Sequence, residues 1–392
     1  MPQFLPLRAN LEWLRKSAKE RLRALRADDP AAKLADAQLA VARHYGFTSW
    51  RKLVAHVEEV RDKLRALVPA TEPAAAETVA PDDADLAQLF AAIRAGDVST
   101  GTALLRRRSA LANAQGPDGQ TPLHAAAQCN DPQFGVVLLA FGADPDARYG
   151  SSGHTALSWA ATCNAPEFAN MLVRLAVQPD LFSAAGIGSL DGVRSCFDDD
   201  GTLRPDTVRT GSSRFAADGS RLPCPPPTAV EQISDALGFA CRNGYAEVVR
   251  YLLTKSTDLT FRGYMGATPL HWAYFGGSRT AIDLLVDAGA DSTTRDTALG
   301  CTPRAFGICA PANWGFLFLV ERRLSADPAL LNFMDGRTSA LHEAARGGHV
   351  EVIRFLLDRG ADASLRDGDG KTALDVATAN NRDVVAAILR AV

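Results

Sequence analysis

The stretch GATPLHWAYFGG, Gly266 to Gly277, decides how this chain is read. Its first half, Thr268-Pro269-Leu270-His271, is a short block that returns elsewhere in the sequence. TPLH also begins at Thr121, and TALSWAA begins 34 residues later at Thr155. CTPRAFG puts Thr302 34 residues after Thr268, and Ser234 in ISDALGFACRNG lies 34 before it. Ala87 in AQLFAAIRAGD precedes Thr121 by 34, and SALHEAARGGH and TALDVATANN start 33 apart at Ser339 and Thr372. Self-similarity at a fixed period of this size is the mark of a repeat architecture, so it must be weighed before any local structure.

The segments that follow each block agree with one another. VVLLAFGAD (136–144), IDLLVDAGAD (282–291) and VIRFLLDRGAD (352–362) each give an apolar helix, a glycine near its end and an Ala-Asp step. Glycine there is a helix C-cap signal, and the polar residues after it start a turn. YLLTKSTD (251–258) keeps the helix and drops the glycine. Nine units can be counted from about Asp85 to the C-terminus, one of them a truncated unit at Pro179–Phe197. A helix pair this short cannot bury its apolar face alone, so neighbours must stack and share a core.

These residues resemble ankyrin repeats. The resemblance implies an all-α solenoid of helix–turn–helix units with β-turn fingers, and a small helical domain precedes it in the sequence. It also implies binding rather than catalysis, through the fingers and the inner, concave helices. On that footing the signature histidines His124, His271 and His342 are structural, bridging backbone groups between repeats.

The resemblance places Tyr264 and Met265 at the tip of a finger and Phe275 in the groove. Trp272, which matches Trp159, falls at a position that is normally core between repeats. Tyr274 stands where a tightly packed Ala is usual, so either the repeats spread or the ring leaves the core, since overpacking is costly unless space is provided. Arg242 shares a face with Cys241 and Cys309, and with Cys129 and Cys163 of earlier repeats. Arg304 replaces the Leu of its block, and a buried Arg needs a partner or a cavity. It is expected to lean into the groove or to meet an acid of the Asp198–Asp200 run. Trp314 and Phe316 fall nearby. The departures cluster between Gly263 and Leu319, which points to a modified repeat with a ligand or peptide groove.

Ahead of the array, LEWLRKSAKERLRALRADD spaces Leu11, Leu14, Ala18, Leu22 and Leu25 as an amphipathic helix. Two further helices, KLADAQLAVARHYG and FTSWRKLVAHVEEVRDKLRAL, are separated by Gly46. Between Arg8 and Arg65 stand 14 Lys and Arg against 8 Asp and Glu, so a leader of about +6 precedes an acidic body in a chain of net charge −3. Residues 1–66 are expected to form this basic helical domain and 67–84 a Pro- and Ala-rich linker. The repeat array then spans 85–392, interrupted by an irregular insertion at 198–233. The helix–glycine–helix pattern admits a DNA-associated reading, but the glutamates Glu58 and Glu59 among the cations favour a cap or protein-docking module.

No nucleophile elbow, phosphate loop or zinc-type spacing appears, and GIGSLDG (186–192) sits where a helix turn needs glycine. No catalytic residue, metal or cofactor is expected. Seven scattered cysteines without a Cys-x-x-Cys pair read as reduced thiols of a cytoplasmic protein. A protein or peptide partner is the leading expectation and a small-molecule ligand or an enzymatic groove the alternative. Nucleic acid is disfavoured and no membrane contact is expected.

Overall fold

The computed structural model describes residues 11–28, 31–44, 47–67, 83–150, 152–175, 177–216 and 218–392. Its described residues form helices, turns and three isolated β-bridges, with no strand among them. Three helices come first: α1 (Leu11–Asp28), α2 (Leu34–His44) and α3 (Trp50–Leu67). Leu14, Val41, Ala42, Leu53 and Val57 are buried together, with Phe47, Trp50 and Val54 packed on them. The spacing of Leu14 and Ala18 thus marks the buried face of α1, because residues four apart share one side of a helix. Tyr45 and Gly46, and residues 68–82 of the expected linker, lie outside the described residues.

Nine helix pairs follow among the described residues. They are α4 and α5 (Ala84–Ala95, Val98–Arg107), α6 and α7 (Pro122–Gln128, Pro132–Ala140), α8 and α9 (Ala156–Thr162, Pro166–Arg174), and α10 and α11 (Leu181–Gly186, Leu190–Arg194). Beyond the insertion come α12 and α13 (Ala229–Asn243, Ala246–Leu252), α14 and α15 (Pro269–Gly276, Arg279–Asp287), and α16 and α17 (Pro303–Trp314, Leu317–Ala326). The last two pairs are α18 and α19 (Ala340–Gly347, Val350–Asp358) and α20 and α21 (Ala373–Ala379, Asp383–Arg390). Proline at the first helical position of α6, α14 and α16 starts these helices where a missing N–H costs nothing.

The chain divides into two compact units, Met1–Ser183 and Ala184–Val392. In the first, α4, α6 and α8 pack in sequence as an inner row and α5, α7 and α9 as an outer one. Helix α3 rests on α7. The leader therefore touches the repeats. In the second unit the inner helices α12, α14, α16, α18 and α20 each pack on the next. The buried side chains between them, among them Leu237, Leu270, Phe306, Leu341 and Val376, make one core shared by neighbours.

The histidines hold repeats together as expected. His271 Nδ1 accepts from Thr268 Oγ1 at 2.7 Å while Nε2 donates to the Cys301 carbonyl of the next finger at 3.1 Å. His124 repeats this between Thr121 and the His154 carbonyl, and His342 between Ser339 and the Lys371 carbonyl. Burial holds His124 and His271 down to a pKa of about 4, so both are neutral.

Two expectations from the sequence are corrected by the structure. The register of the α12 repeat runs through Asp235, 33 residues before Thr268, rather than Ser234. The C-capping glycines Gly244 and Gly277 stand the same 33 apart, both left-handed (φ 80° and 67°). The insertion also ends earlier than 233, because Thr228 caps α12 in a reciprocal box with Glu231. Its chain is tied to the repeat by the buried Asp235, which accepts from Ser212 N (2.7 Å) and Ser212 Oγ (2.5 Å). Burial raises the Asp235 carboxyl to about 6, against the pull of those two bonds.

Candidate functional site

The modified repeat differs from its neighbours first in the length of one helix. Inner helices α14 and α18 have 8 residues each, while α16 has 12, one turn more. That extra turn carries Trp314 at its end and brings its ring among those of the preceding repeat. The Trp314 centroid lies 5.4 Å from Phe275, 6.4 Å from Trp272, 6.3 Å from Tyr264 and 5.8 Å from Phe316. Phe306, from the first turn of the same helix, packs edge-on to Trp272 at 5.4 Å. Edge-to-face and offset contacts of this kind are the favoured arrangements of aromatic pairs.

The expected site residues fall at different depths within this cluster. Trp272 is 7% exposed and belongs to the core, as its position implies. Phe275 is 3% exposed, which corrects the expectation that it faces an open groove: Trp314, Phe306 and Arg242 cover it. Tyr264 is 43% exposed at the finger, Phe316 is 38% exposed, and Trp314 is half-buried between them. Tyr274 is half-buried, and its backbone lies so close to Gly307 of α16 that a Cβ there would stand 2.9 Å from the Tyr274 carbonyl oxygen. Met265, half-buried, takes a left-handed φ of 60° in the tight finger turn, and its carbonyl accepts from Thr297 N of the next finger.

Arg242 lies along the aromatics, its guanidinium 5.4 Å from the Phe275 ring centre and 5.9 Å from Phe239, and Nη1 donates to Asn243 Oδ1. Arg304 does neither thing expected of it. It is exposed and pairs with Asp327 at 2.8 Å, with Phe333 under its guanidinium at 4.7 Å. The long aliphatic stem of an Arg lets it take a Leu position and still carry its charge to water. Arg304 therefore stands apart from the Tyr264–Trp314 face, and the Asp198–Asp200 run is not its partner.

Two buried polar groups support this region and gave no signal in the sequence. Arg323, 6% exposed on the outer helix α17, donates Nη2 to the Phe275 carbonyl at 2.7 Å. It thereby satisfies a carbonyl at the end of α14, where a cation also complements the helix dipole. Burial lowers its pKa to about 10, which still leaves it charged. Glu343, 1% exposed, accepts from Thr338 Oγ1 (2.8 Å), Asn313 Nδ2 (3.0 Å) and Arg346 Nε (3.2 Å), joining α16 to α18.

None of the seven cysteines is in a disulfide. Cys241, Cys301 and Cys309 are buried and Cys129 is exposed, and burial raises the Cys241 thiol above its usual range, so it is not an activated nucleophile. No group of His, Cys, Asp and Glu able to hold a metal occurs among the described residues.

The family model described as ankyrin repeats (3 copies) matches residues 89–182, 227–296 and 308–391 of the chain. The B-cell lymphoma 3 protein homolog of Mus musculus is 33% identical over 146 residues, 36% of this chain and 32% of that protein. The SH3 and multiple ankyrin repeat domains protein 2 of Homo sapiens is 28% identical over 164 residues, 42% of this chain and 8% of its own length. A palmitoyltransferase of Lachancea kluyveri, AKR1, is 28% identical over 182 residues, 38% of this chain and 24% of that enzyme. The chain thus spans a third or less of each of these relatives. No helix among the described residues is long and apolar enough to cross a membrane.

Proposed function

The chain belongs to the ankyrin-repeat family, and on that premise we propose that it is a protein-interaction module whose partner binds the face formed by Tyr264, Trp314, Phe316 and Arg242. The observation that supports this most is the gradient of burial within one aromatic cluster. Trp272, Phe275 and Phe306 lie inside it, while Tyr264 and Phe316 stay at its surface. Large aromatic side chains left at the rim of a rigid core are what binding hot spots are made of, because they bring much contact area at little entropy cost. Met265 belongs to the same finger and contributes contact area beside Tyr264. Arg304, held on Asp327 away from these rings, is left out of the face.

An enzymatic reading draws no specific support. The palmitoyltransferase likeness covers 24% of that protein. The basic helices of the leader are read as a docking or capping module with solvated charges, and Arg15, Lys19, Arg23 and Arg26 on α1 are exposed in keeping with that reading.

The test is affinity capture with the full chain in three forms: unaltered, Tyr264→Ala, and Phe318→Ala on the exposed surface of α17. Capture of a protein by the first and third forms, lost in the second, is the expected result. Equal capture by all three would remove this face from the proposal.

A further inference from the structure

The finger that carries Tyr264 has its acceptors occupied. Each carbonyl from Gly263 to Ala267 already takes a hydrogen bond. Gly263 accepts from Gly266 N (3.0 Å), Tyr264 from Ala267 N (3.2 Å), Met265 from Thr297 N (3.1 Å) and Ala267 from Gly263 N (3.1 Å). Gly266 accepts from Arg262 Nη1 (3.0 Å), and Thr297 Oγ1 adds a second bond to Met265 (3.1 Å). An incoming backbone N–H would meet no carbonyl on this finger that lacks a donor.

The donors beside it are in the opposite state. Neither the Tyr264 hydroxyl nor the Trp314 indole N–H has a hydrogen-bond partner among the described residues. Tyr264 and Phe316 are exposed and Trp314 is half-buried between them. The Tyr264 and Trp314 planes are tilted by only 30°, and Phe316 stands across Trp314 at 67°. The face therefore offers aromatic surface and donors together.

Three kinds of backbone could lie on such a surface. A helix bonds its N–H and C=O groups within itself, so it would leave both donors unused. A strand brings N–H groups that need acceptors along an edge, and each one buried without an acceptor costs affinity. A run of prolines in the polyproline II conformation has carbonyls but no N–H groups, and its rings pack on aromatic side chains. Only the third matches both the occupied carbonyls and the unused donors.

We infer that the face of Tyr264, Trp314 and Phe316 takes a proline-rich segment in the polyproline II conformation. Its rings lie on the three aromatic side chains, and its carbonyls accept from the Tyr264 hydroxyl and the Trp314 indole N–H. The inference rests on the protein-binding reading above and names the class of the partner segment.

Fluorescence anisotropy with the full chain tests it, using two labelled peptides, Gly-Pro-Pro-Pro-Pro-Pro-Pro-Gly and Gly-Ala-Ala-Ala-Ala-Ala-Ala-Gly. The proline peptide is expected to bind, and the alanine peptide about tenfold more weakly, because its N–H groups would face a finger without available acceptors. Tyr264→Phe and Trp314→Phe each keep an aromatic ring and remove the donor. Each should weaken the proline peptide by roughly threefold to tenfold, the change that one net hydrogen bond brings. Circular dichroism checks the fold of both variants, and Tyr264→Phe at the exposed finger decides alone if Trp314→Phe misfolds. No measurable binding of the proline peptide, equal binding of the alanine peptide, or undiminished binding by the folded variants would overturn the inference. If capture through Tyr264 succeeds and the bound segment of the partner lacks proline, this inference fails and the binding reading stands. If capture fails, the reading itself fails.

Discussion

Phe275 and Tyr264 lie eleven positions apart and belong to one aromatic cluster, yet they should answer substitution in opposite ways. Phe275 is closed in by Trp272, Phe306 and Trp314, so Phe275→Ala leaves a cavity and is expected to cost roughly 3–5 kcal/mol of folding stability. Tyr264→Ala, at the open edge, should shift stability by about 0.5 kcal/mol. Urea unfolding of the two variants checks the contrast. A small effect for Phe275→Ala would mean that the ring is not enclosed. The histidines make a second prediction at this scale. The folded-state pKa of His124 and His271, about 4, lies below the usual 6.5. The unfolded chain therefore binds protons first, and stability is complete above pH 6.5 and lost as pH falls towards 4. Each site should contribute roughly 3 kcal/mol to that loss, since every tenfold difference in proton affinity between the folded and unfolded chain is worth about 1.4 kcal/mol. A His271→Gln variant should show a shallower fall of unfolding free energy between pH 6.5 and about 4.5. An unchanged slope would contradict the assignment.

Among the elements, the repeat blocks were legible in the sequence because TPLH and its relatives carry the helix start, the inter-repeat histidine and the period together. What sequence spacing could not show was a change of helix length inside the period. The block at Thr302 keeps its 34-residue distance from Thr268, so α16 looked like any other inner helix. Its extra turn is what lays Trp314 over Phe275 and closes the groove expected there. Arg304 was misplaced for a related reason: its position implied burial, but its reach to Asp327 lies outside any local pattern. The cost of Tyr274 was visible, while the close approach of its backbone to Gly307 could be identified only from the packing of α16 on α14. At this scale Asp235 gives a testable tie between insertion and repeat. Its pKa of about 6 is above the usual 3.8, so the ionised form is the disfavoured one in the fold. Stability from this group is therefore highest below pH 3.8 and falls as pH rises to 6. Asp235→Asn should remove that portion of the pH dependence, seen as the difference between variant and parent unfolding curves. Asp235→Ala should speed amide exchange of Ser212, whose N–H loses its acceptor. Unchanged exchange there would show that other contacts hold the insertion.

For the molecule as a whole, the leader and the repeats have separate cores. The leader's buried residues, from Leu14 to Val57, pack on one another, and the repeats bury their own side chains from Leu86 onward. A chain lacking residues 1–66 is expected to keep a cooperative unfolding transition, with some loss of stability because α3 no longer covers α7. Loss of the transition in a urea titration followed by circular dichroism would show that the leader is integral to the array. The division of labour proposed for the repeats is a buried aromatic core that fixes the geometry and an exposed aromatic and cationic rim that meets the partner. Hydrogen–deuterium exchange of the full chain, with and without the captured partner, tests that claim most directly. Slower exchange is predicted in 239–243, 262–267 and 312–316, with the outer helices α13, α15 and α17 unchanged. Protection confined to the outer helices, or to the leader, would contradict it.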